Sequence, residues 1–121
     1  MKARILIAED STYMRMLLKE LLIRSGYDVI GEADNGNDAV RLYDKYKPDI
    51  AAIDMLMPEM NGIDVLKAIR ASHPDARLLM ISAMGQEKMV IEAMKAGASD
   101  FFIKPLQSER VIEAIERAMR H

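Results

Sequence analysis

Short apolar runs alternate along the chain with longer segments in which apolar residues recur at every third or fourth position. The first run, residues 4–8, is continuous, which is typical of a strand that is buried on both faces. The residues that follow at helical spacing are Met14, Leu17, Leu18 and Leu21. Gly26 then stands where a glycine commonly ends a helix. This succession of a strand and an amphipathic helix recurs down the rest of the sequence.

Five such strand–helix units fill the chain. The predicted strands are residues 4–8, 28–33, 49–54, 76–82 and 100–103. The apolar stripes of the four later helices are Val40 and Tyr43, then Val65, Leu66 and Ile69, then Met89, Val90, Ala93 and Met94, and finally Val111, Ile112, Ile115, Ala118 and Met119. Ser108 is the predicted cap of the last helix. Regular alternation predicts an α/β fold, with a five-stranded parallel sheet and helices on both faces.

Composition restricts the classes of protein to which the chain can belong. Its 121 residues suit one domain, so we predict a single domain over residues 1–121. There is no Cys, which excludes disulfides, thiolate metal sites and a cysteine nucleophile. A formal net charge of -2 argues against direct binding of nucleic acid, and no apolar run is long enough to span a membrane. We expect a cytoplasmic, monomeric protein.

Polar residues that can carry out chemistry follow four of the five predicted strands. Glu9 and Asp10 come directly after the first strand, Asp54 ends the third, Ser82 ends the fourth and Lys104 follows the fifth. The carboxyl ends of parallel strands lie at one edge of the sheet, where open α/β sheets bind their ligands. We therefore expect three carboxylates, a hydroxyl and an ammonium group to lie together at that edge.

This set of groups suits phosphoryl transfer at a metal site. Three carboxylates that lie together repel one another, and Mg²⁺ is a hard cation that relieves such repulsion through oxygen ligands. A carboxylate can also attack a phosphoryl group and form an aspartyl phosphate. Lys104 and the metal would then stabilise the charge on the phosphoryl oxygens, and Ser82 would donate a hydrogen bond to them.

Each of these residues, taken alone, also has an ordinary structural interpretation. Glu9 and Asp10 suit a solvated turn or a helix cap, Ser82 suits a strand end, and Lys104 suits the surface. Asp54 is harder to explain in this way, because it follows four apolar residues that are predicted to be buried. The coincidence of suitable groups at four strand ends favours the functional interpretation.

The sequence around these residues resembles the receiver domains of two-component response regulators, and most of all the stand-alone chemotaxis regulators of that family. The resemblance extends over residues 4–119. The strings that carry it are IAEDS at 7–11, DMLMPEMNG at 54–62, SAMGQ at 82–86, KAGA at 95–98 and FIKP at 102–105. It implies a flavodoxin-like sheet with the strand order 2-1-3-4-5, a topology for which this family is itself a standard example.

The resemblance also implies a role for each residue at the strand ends. Asp54 is the expected phosphoacceptor, and Lys104 is expected to contact the phosphoryl group. Glu9, Asp10 and Asp54, together with the backbone carbonyl of Leu56, are expected to bind Mg²⁺. Such a domain is not a turnover enzyme, although it promotes its own phosphorylation and dephosphorylation.

The switch and the partners are likewise implied by the resemblance. Ser82 is expected to move towards the phosphoryl group, and Phe101, at the aromatic switch position, is expected to turn inwards when it does. The face formed by the fourth helix, the fifth strand and the fifth helix would then bind a partner. The expected donor is a sensor histidine kinase of the chemotaxis type, and the expected receiver of the signal is a flagellar motor switch protein or a phosphatase. A receiver domain from a non-chemotaxis or multidomain regulator, such as a transcriptional one, is the alternative.

Four positions depart from the commonest pattern of the family. Glu9 stands where Asp is usual, but its longer side chain can still reach a metal. Phe101 stands where Tyr is frequent, so it offers no hydroxyl to a partner. Leu56 and Met84 replace polar residues that often position the hydrolytic water. The lifetime of the phosphorylated state therefore does not follow from the family pattern.

Three other kinds of protein share this architecture. A flavodoxin-type phosphate loop needs hydrogen-bond donors after the first strand, where Glu9 and Asp10 would repel an anion. A phosphatase with an aspartyl intermediate commonly needs an acid two residues after the nucleophile, and Leu56 cannot act as one. An interaction module that has lost the chemistry would have no need of the four residues retained at the strand ends, which are Asp10, Asp54, Ser82 and Lys104.

Overall fold

The computed structural model describes residues 2–120 and contains five strands that alternate with five helices. The elements are β1 (Arg4–Ala8), α1 (Thr12–Arg24), β2 (Asp28–Ala33), α2 (Gly36–Tyr46), β3 (Ile50–Asp54), α3 (Gly62–Ser72), β4 (Leu78–Ser82), α4 (Glu87–Lys95), β5 (Asp100–Ile103) and α5 (Ser108–Met119). All five predicted strands are confirmed, although β3 and β4 begin slightly later than predicted. The start of β4 is delayed because the N–H of Ala76 donates to the carbonyl oxygen of His73 in the turn after α3.

The sheet has the predicted topology, with every strand pair parallel and the order β2-β1-β3-β4-β5. On one face, Leu18 and Leu22 of α1 pack with Val111 and Ile115 of α5. On the other face, α2, α3 and α4 pack against the sheet, with Leu66 of α3 fully buried. Because helices cover both faces, β1, β3 and β4 are buried almost throughout, which explains their continuous apolar runs.

Side-chain caps begin three of the helices. Ser11, Asn35 and Asn61 accept hydrogen bonds from backbone N–H groups in the first turns of α1, α2 and α3. The predicted cap of α5 is wrong: Ser108 is the first helical residue, and Gln107 occupies the cap position without a side-chain hydrogen bond. Packing of its apolar stripe against the sheet therefore stabilises α5 in place of a side-chain cap.

The outer surfaces of α1 and α4 are more apolar than the predicted stripes indicate. Leu17 and Met94 are predicted to face the core, but each is 39% exposed, whereas Leu18 and Ala93 beside them are buried. Apolar residues, among them the exposed Tyr13, occur all round α1, so helical spacing alone does not identify its inner face. Despite these surfaces, no helix within residues 2–120 is long and apolar enough to cross a membrane.

Candidate functional site

An acidic cluster lies at the carboxyl edge of the sheet. Asp54 is the last residue of β3, and Glu9 and Asp10 follow the neighbouring strand β1. One carboxylate oxygen from each of the three lies within 4.8 Å of the other two. Glu9 and Asp54 are only 1% and 5% exposed, whereas Asp10 is exposed. The predicted convergence of the three carboxylates is therefore confirmed.

Lys104 extends from the end of β5 to this cluster. Its Nζ lies 2.9 Å from Oε1 of Glu9 and 3.3 Å from Oδ2 of Asp54. Its backbone N–H donates to the carbonyl oxygen of Ser82, which fixes the backbone from which the side chain extends. The peptide bond between Lys104 and Pro105 is cis. The ammonium group thus bridges the two buried carboxylates. The sequence predicts the approach to Asp54, but not the closer contact with Glu9.

The two buried carboxyl groups, those of Asp54 and Glu9, differ in how readily they ionise. Burial, together with the neighbouring Glu9, raises the pKa of Asp54 to about 7. Burial also tends to raise the pKa of Glu9, but the ammonium of Lys104 and the N–H of Ser11, which lies 3.0 Å from Oε2, hold that pKa below its usual range. Although Asp10 is exposed, the partial loss of hydration at its carboxyl group and the neighbouring Glu9 raise its pKa as well. Near neutral pH, Asp54 is therefore protonated in a substantial fraction of the molecules unless further positive charge lies beside it.

The chemistry of the cluster fits a divalent cation. Mg²⁺ binds oxygen ligands and neutralises carboxylates that would otherwise repel one another. Oε1 of Glu9 is buried and pairs with the ammonium of Lys104 at 2.9 Å, and it has no other partner among the described residues, so it can accept a cation as well. Leu56 lies in the loop directly beyond β3, with its side chain exposed. The role of the Leu56 backbone carbonyl in metal binding stays a prediction.

The predicted switch residues, Ser82 and Phe101, lie on β4 and β5, the two strands that follow β3 across the sheet. Ser82 is the buried last residue of β4, and its hydroxyl donates to the carbonyl oxygen of Ala83, 3.0 Å away. Phe101 is partly buried on β5, and the guanidinium of Arg110 lies over its ring. The Ser82 hydroxyl is thus bonded within its own loop, and the switching roles of Ser82 and Phe101 stay predictions.

Comparison with known proteins assigns the family. The family model described as the response regulator receiver domain matches residues 5–116. The chain is a response regulator receiver domain. The chemotaxis protein CheY of Thermotoga maritima is 51% identical over 120 residues, which cover 99% of this chain and 100% of that protein. The chemotaxis protein CheY of Bacillus subtilis is 48% identical over 119 residues, which cover 98% of this chain and 99% of that protein.

The receiver domain also has solved structural relatives. One is in the crystal structure of the CheX-CheY-BeF3-Mg+2 complex from Borrelia burgdorferi, which matches with a TM-score of 0.89 and 33% identity. The match covers 93% of this chain and 86% of that one. Receiver domains are phosphorylation-activated switches of two-component systems, and they bind Mg²⁺ at an acidic cluster. Glu9, Asp10 and Asp54 form such a cluster in this receiver domain.

Sequence reasoning missed two residues that shape the receiver site. Gly62 begins α3 directly against β3, so that a Cβ atom there would lie 2.4 Å from the backbone oxygen of Asp54 and 2.8 Å from Cα of Met55. Arg15 of α1 donates to the carbonyl oxygen of Glu9 at 2.8 Å. The available signal for Gly62 was a glycine just after the loop that follows a buried acid. Nothing in the local sequence indicates the contact of Arg15.

Proposed function

We propose that this receiver domain accepts a phosphoryl group on Asp54 from a sensor histidine kinase and signals in chemotaxis by binding a partner protein. The observation that supports this most is the contact of Lys104 with both Asp54 and Glu9 at the buried end of β3. A buried carboxylate flanked by a cation and by further acids suits covalent attachment of a phosphoryl group. A single domain over residues 1–121, a monomer and a cytoplasmic location are parts of the same proposal.

The transfer forms one bond and breaks another. A carboxylate oxygen of Asp54 attacks phosphorus, the bond from phosphorus to the kinase histidine nitrogen breaks, and that nitrogen keeps the electron pair. Asp54 must be ionised to attack, and its pKa stays raised although Lys104 lies beside it, so the reaction needs further positive charge at the site. Lys104 would contact an oxygen of the transferred group.

Glu9, Asp10, Asp54 and the backbone carbonyl of Leu56 would hold Mg²⁺. When bound, the cation neutralises the carboxylates and the phosphoryl oxygens on which charge accumulates. Glu9 is suited to this role, because its pKa lies below the usual range and its buried Oε1 has no partner among the described residues besides the ammonium of Lys104. Asp54 would thus serve both as ligand and as nucleophile, while Glu9 and Asp10 would serve as ligands alone.

Hydrolysis of the aspartyl phosphate needs a water molecule in line with phosphorus. Leu56 and Met84 are exposed in the loops after β3 and β4, and neither has a polar side-chain atom that could orient this water. The protein would promote its own phosphorylation and dephosphorylation without turning over a separate substrate. A partner phosphatase would then decide how long the signal lasts.

The proposed output surface is the face formed by α4, β5 and α5. An open hollow of about 550 Å³ lies between α4 and β5, and its lining includes Ser82, Val90, Ile91 and Phe101. Because Ser82 lines this hollow, movement of its hydroxyl towards a phosphoryl group on Asp54 would change the room available to Phe101. Phosphorylation would thereby shift the population between two packings of this face, only one of which the partner binds.

Chemotaxis is the proposed pathway because the similarity to chemotaxis proteins spans nearly the full length of both chains. The proposed donor is a chemotaxis kinase, and the proposed receivers are a flagellar motor switch protein and a phosphatase. The alternative, a receiver domain of a non-chemotaxis or multidomain regulator, would share the chemistry of Asp54 but not these partners. Partner binding therefore distinguishes the two, and phosphorylation alone does not.

The first test is incubation with acetyl phosphate, with and without Mg²⁺, followed by measurement of the intact mass. We expect the mass of one phosphoryl group to be added in the presence of Mg²⁺ and not in Asp54→Ala. No adduct on the wild type, or an equal amount on Asp54→Ala, would overturn the proposal. Binding of the phosphorylated protein to a flagellar motor switch peptide then tests the chemotaxis assignment against the alternative.

A further inference from the structure

Arg110, in the first turn of α5, binds two consecutive residues of β5. Its guanidinium donates to both carboxylate oxygens of Asp100, with N–O distances of 2.9 and 3.4 Å. It also donates to the backbone carbonyl oxygen of Phe101. The same group lies over the aromatic ring of Phe101, with Cζ 5.7 Å from the ring centroid. A single side chain therefore contacts both the backbone and the ring of Phe101.

The ion pair also closes the open edge of the sheet at Phe101. β5 is an edge strand, and the unpaired backbone groups of an edge attract other strands. The N–H of Phe101 donates to Oδ1 of Asp100 at 2.8 Å, and its carbonyl oxygen accepts from Arg110. Both polar backbone groups of Phe101 are thus satisfied by the pair formed by Asp100 and Arg110. The backbone is fixed at this residue, which leaves the side chain as the part that can move.

Phe101 lines two separate hollows. The hollow of about 550 Å³ towards α4 contains Phe101 in its lining, and so does a second hollow of about 440 Å³ towards the start of α5. A cavity of about 150 Å³ already accommodates benzene, so space does not confine the ring to one position. Phe101 has no hydroxyl that could anchor it. Arg110 lines the second hollow and is the charged group stacked on the ring.

The geometry points to Arg110 as a positioning residue that holds the ring of Phe101 on the α5 side in the unphosphorylated receiver. Arg110 thereby sets the equilibrium between the inactive and the active packing before phosphorylation. This inference rests on the proposed function, in which a phosphoryl group on Asp54 draws Ser82 and admits the ring to the hollow beside α4. A ring that turns inwards must leave the guanidinium. The contact therefore opposes the active packing until phosphorylation outweighs it.

The chemistry of the contact sets the size of the effect. A guanidinium stacks on an aromatic face through its planar, delocalised charge, and its ion pair with Asp100 holds that plane in place. The backbone hydrogen bonds are the same for either ring position, so only the stack distinguishes them. Loss of one such contact at a partly exposed site changes an equilibrium by about two- to fivefold.

Fluorine NMR of protein labelled with para-fluorophenylalanine measures this balance directly. The chain contains 2 Phe, so the spectrum has two signals, and Phe101→Leu identifies which is which. Beryllofluoride with Mg²⁺, a mimic of the bound phosphoryl group, gives the position of the Phe101 signal in the active packing. For Arg110→Ala without beryllofluoride, we expect the Phe101 signal to move towards its position in the active packing. The shift should correspond to a two- to fivefold rise in the population of the inward ring.

Two further variants separate positioning from folding. Arg110→Lys keeps the charge but loses the planar fork, so its signal should lie between those of the wild type and Arg110→Ala. Arg120→Ala removes an exposed arginine at the C-terminal cap of the same helix, and its Phe101 signal should stay at the wild-type position. If Arg110→Ala does not fold, Asp100→Asn, which cuts the ion pair and keeps the shape, takes its place with the same expectation.

A Phe101 signal that responds to beryllofluoride in the wild type but is unmoved by Arg110→Ala and Asp100→Asn would overturn the inference and leave the proposed function intact. A wild-type signal that ignores beryllofluoride would contradict the switch itself, and the inference with it. The acetyl phosphate test is independent of both results, so it detects separately whether Asp54 fails to accept a phosphoryl group.

Discussion

Replacement of Asp54 by Asn is predicted to stabilise the receiver domain by an amount that grows with pH. Burial and the neighbouring Glu9 raise the pKa of Asp54 from 3.8 to about 7, so the folded protein holds this proton more tightly than the unfolded chain does. The folded wild type therefore loses stability as the pH rises from 3.8 towards 7. Asn does not ionise, so the variant escapes this loss, and the difference vanishes in acid.

The magnitude follows from the two pKa values. One pKa unit corresponds to about 1.36 kcal/mol, so ionised Asp54 destabilises the fold by about 4 kcal/mol once the pH exceeds its folded pKa of about 7. At about pH 4 the same relation leaves less than about 1 kcal/mol, because the carboxyl is then largely protonated in the folded protein and partly so in the unfolded chain. Solvent screens little of this energy, since Asp54 is 5% exposed.

Urea denaturation followed by far-UV circular dichroism, with a chelator present, measures the difference at about pH 4 and about pH 8. We expect Asp54→Asn to exceed the wild type by several kcal/mol at the higher pH alone, and Mg²⁺ to narrow the gap by binding the folded wild type. Asp75→Asn, a change in an exposed turn, is the matched control and should show no gap. Equal stability of Asp54→Asn and the wild type at about pH 8 would show that ionised Asp54 does not destabilise the fold.

Three other substitutions test separate parts of the site. Gly62→Ala should lower the free energy of unfolding by about 3 kcal/mol, because its Cβ would lie 2.4 Å from the backbone oxygen of Asp54. Gly31→Ala should cost less than about 1 kcal/mol in the same urea assay, because its Cβ would lie 3.2 Å from a side-chain carbon of Leu6 and its three nearest atoms all belong to side chains. Lys104→Met should tighten Mg²⁺ binding by on the order of tenfold in titration calorimetry, since the ammonium competes for the same carboxylates, and should slow phosphorylation by acetyl phosphate; unchanged affinity would exclude that competition. Gly85→Ala should weaken phosphorylation-dependent binding of a motor switch peptide, because Gly85 has a φ of +91°, and unchanged binding would show that the loop after β4 does not need this freedom.

The positions of the site residues could be predicted because each lies directly at a strand end. The continuous apolar runs locate β1, β3 and β4, and their ends place Asp10, Asp54 and Ser82 at one edge whichever strands are neighbours. An error of one or two residues at the start of a strand, as occurred for β3 and β4, does not move its carboxyl end. The α/β fold and the acidic cluster therefore followed from the order of residues.

Details that depend on side-chain conformation could not be predicted. The contact of Lys104 with Glu9, closer than that with Asp54, requires the longer arm of Glu and a particular rotamer. The hydroxyl of Ser82 bonds to the next carbonyl and not to the cluster, a choice between local acceptors that spacing does not reveal. The contact of Arg110 with Phe101 joins two elements through atoms at the end of a long side chain. Sequence patterns fix where such residues start, but not where their charged groups lie.

Chemical localisation of the phosphoryl group tests the central claim most directly. Borohydride reduces an aspartyl phosphate to homoserine, so treatment after incubation with acetyl phosphate and Mg²⁺, followed by peptide mass mapping, marks the acceptor residue. We expect homoserine at position 54, formed only in the presence of Mg²⁺ and in a smaller amount in Lys104→Met. Homoserine at Asp10 or another Asp, the corresponding alcohol at a Glu, or no homoserine at position 54 in protein that carries the added mass would show that Asp54 is not the phosphoacceptor.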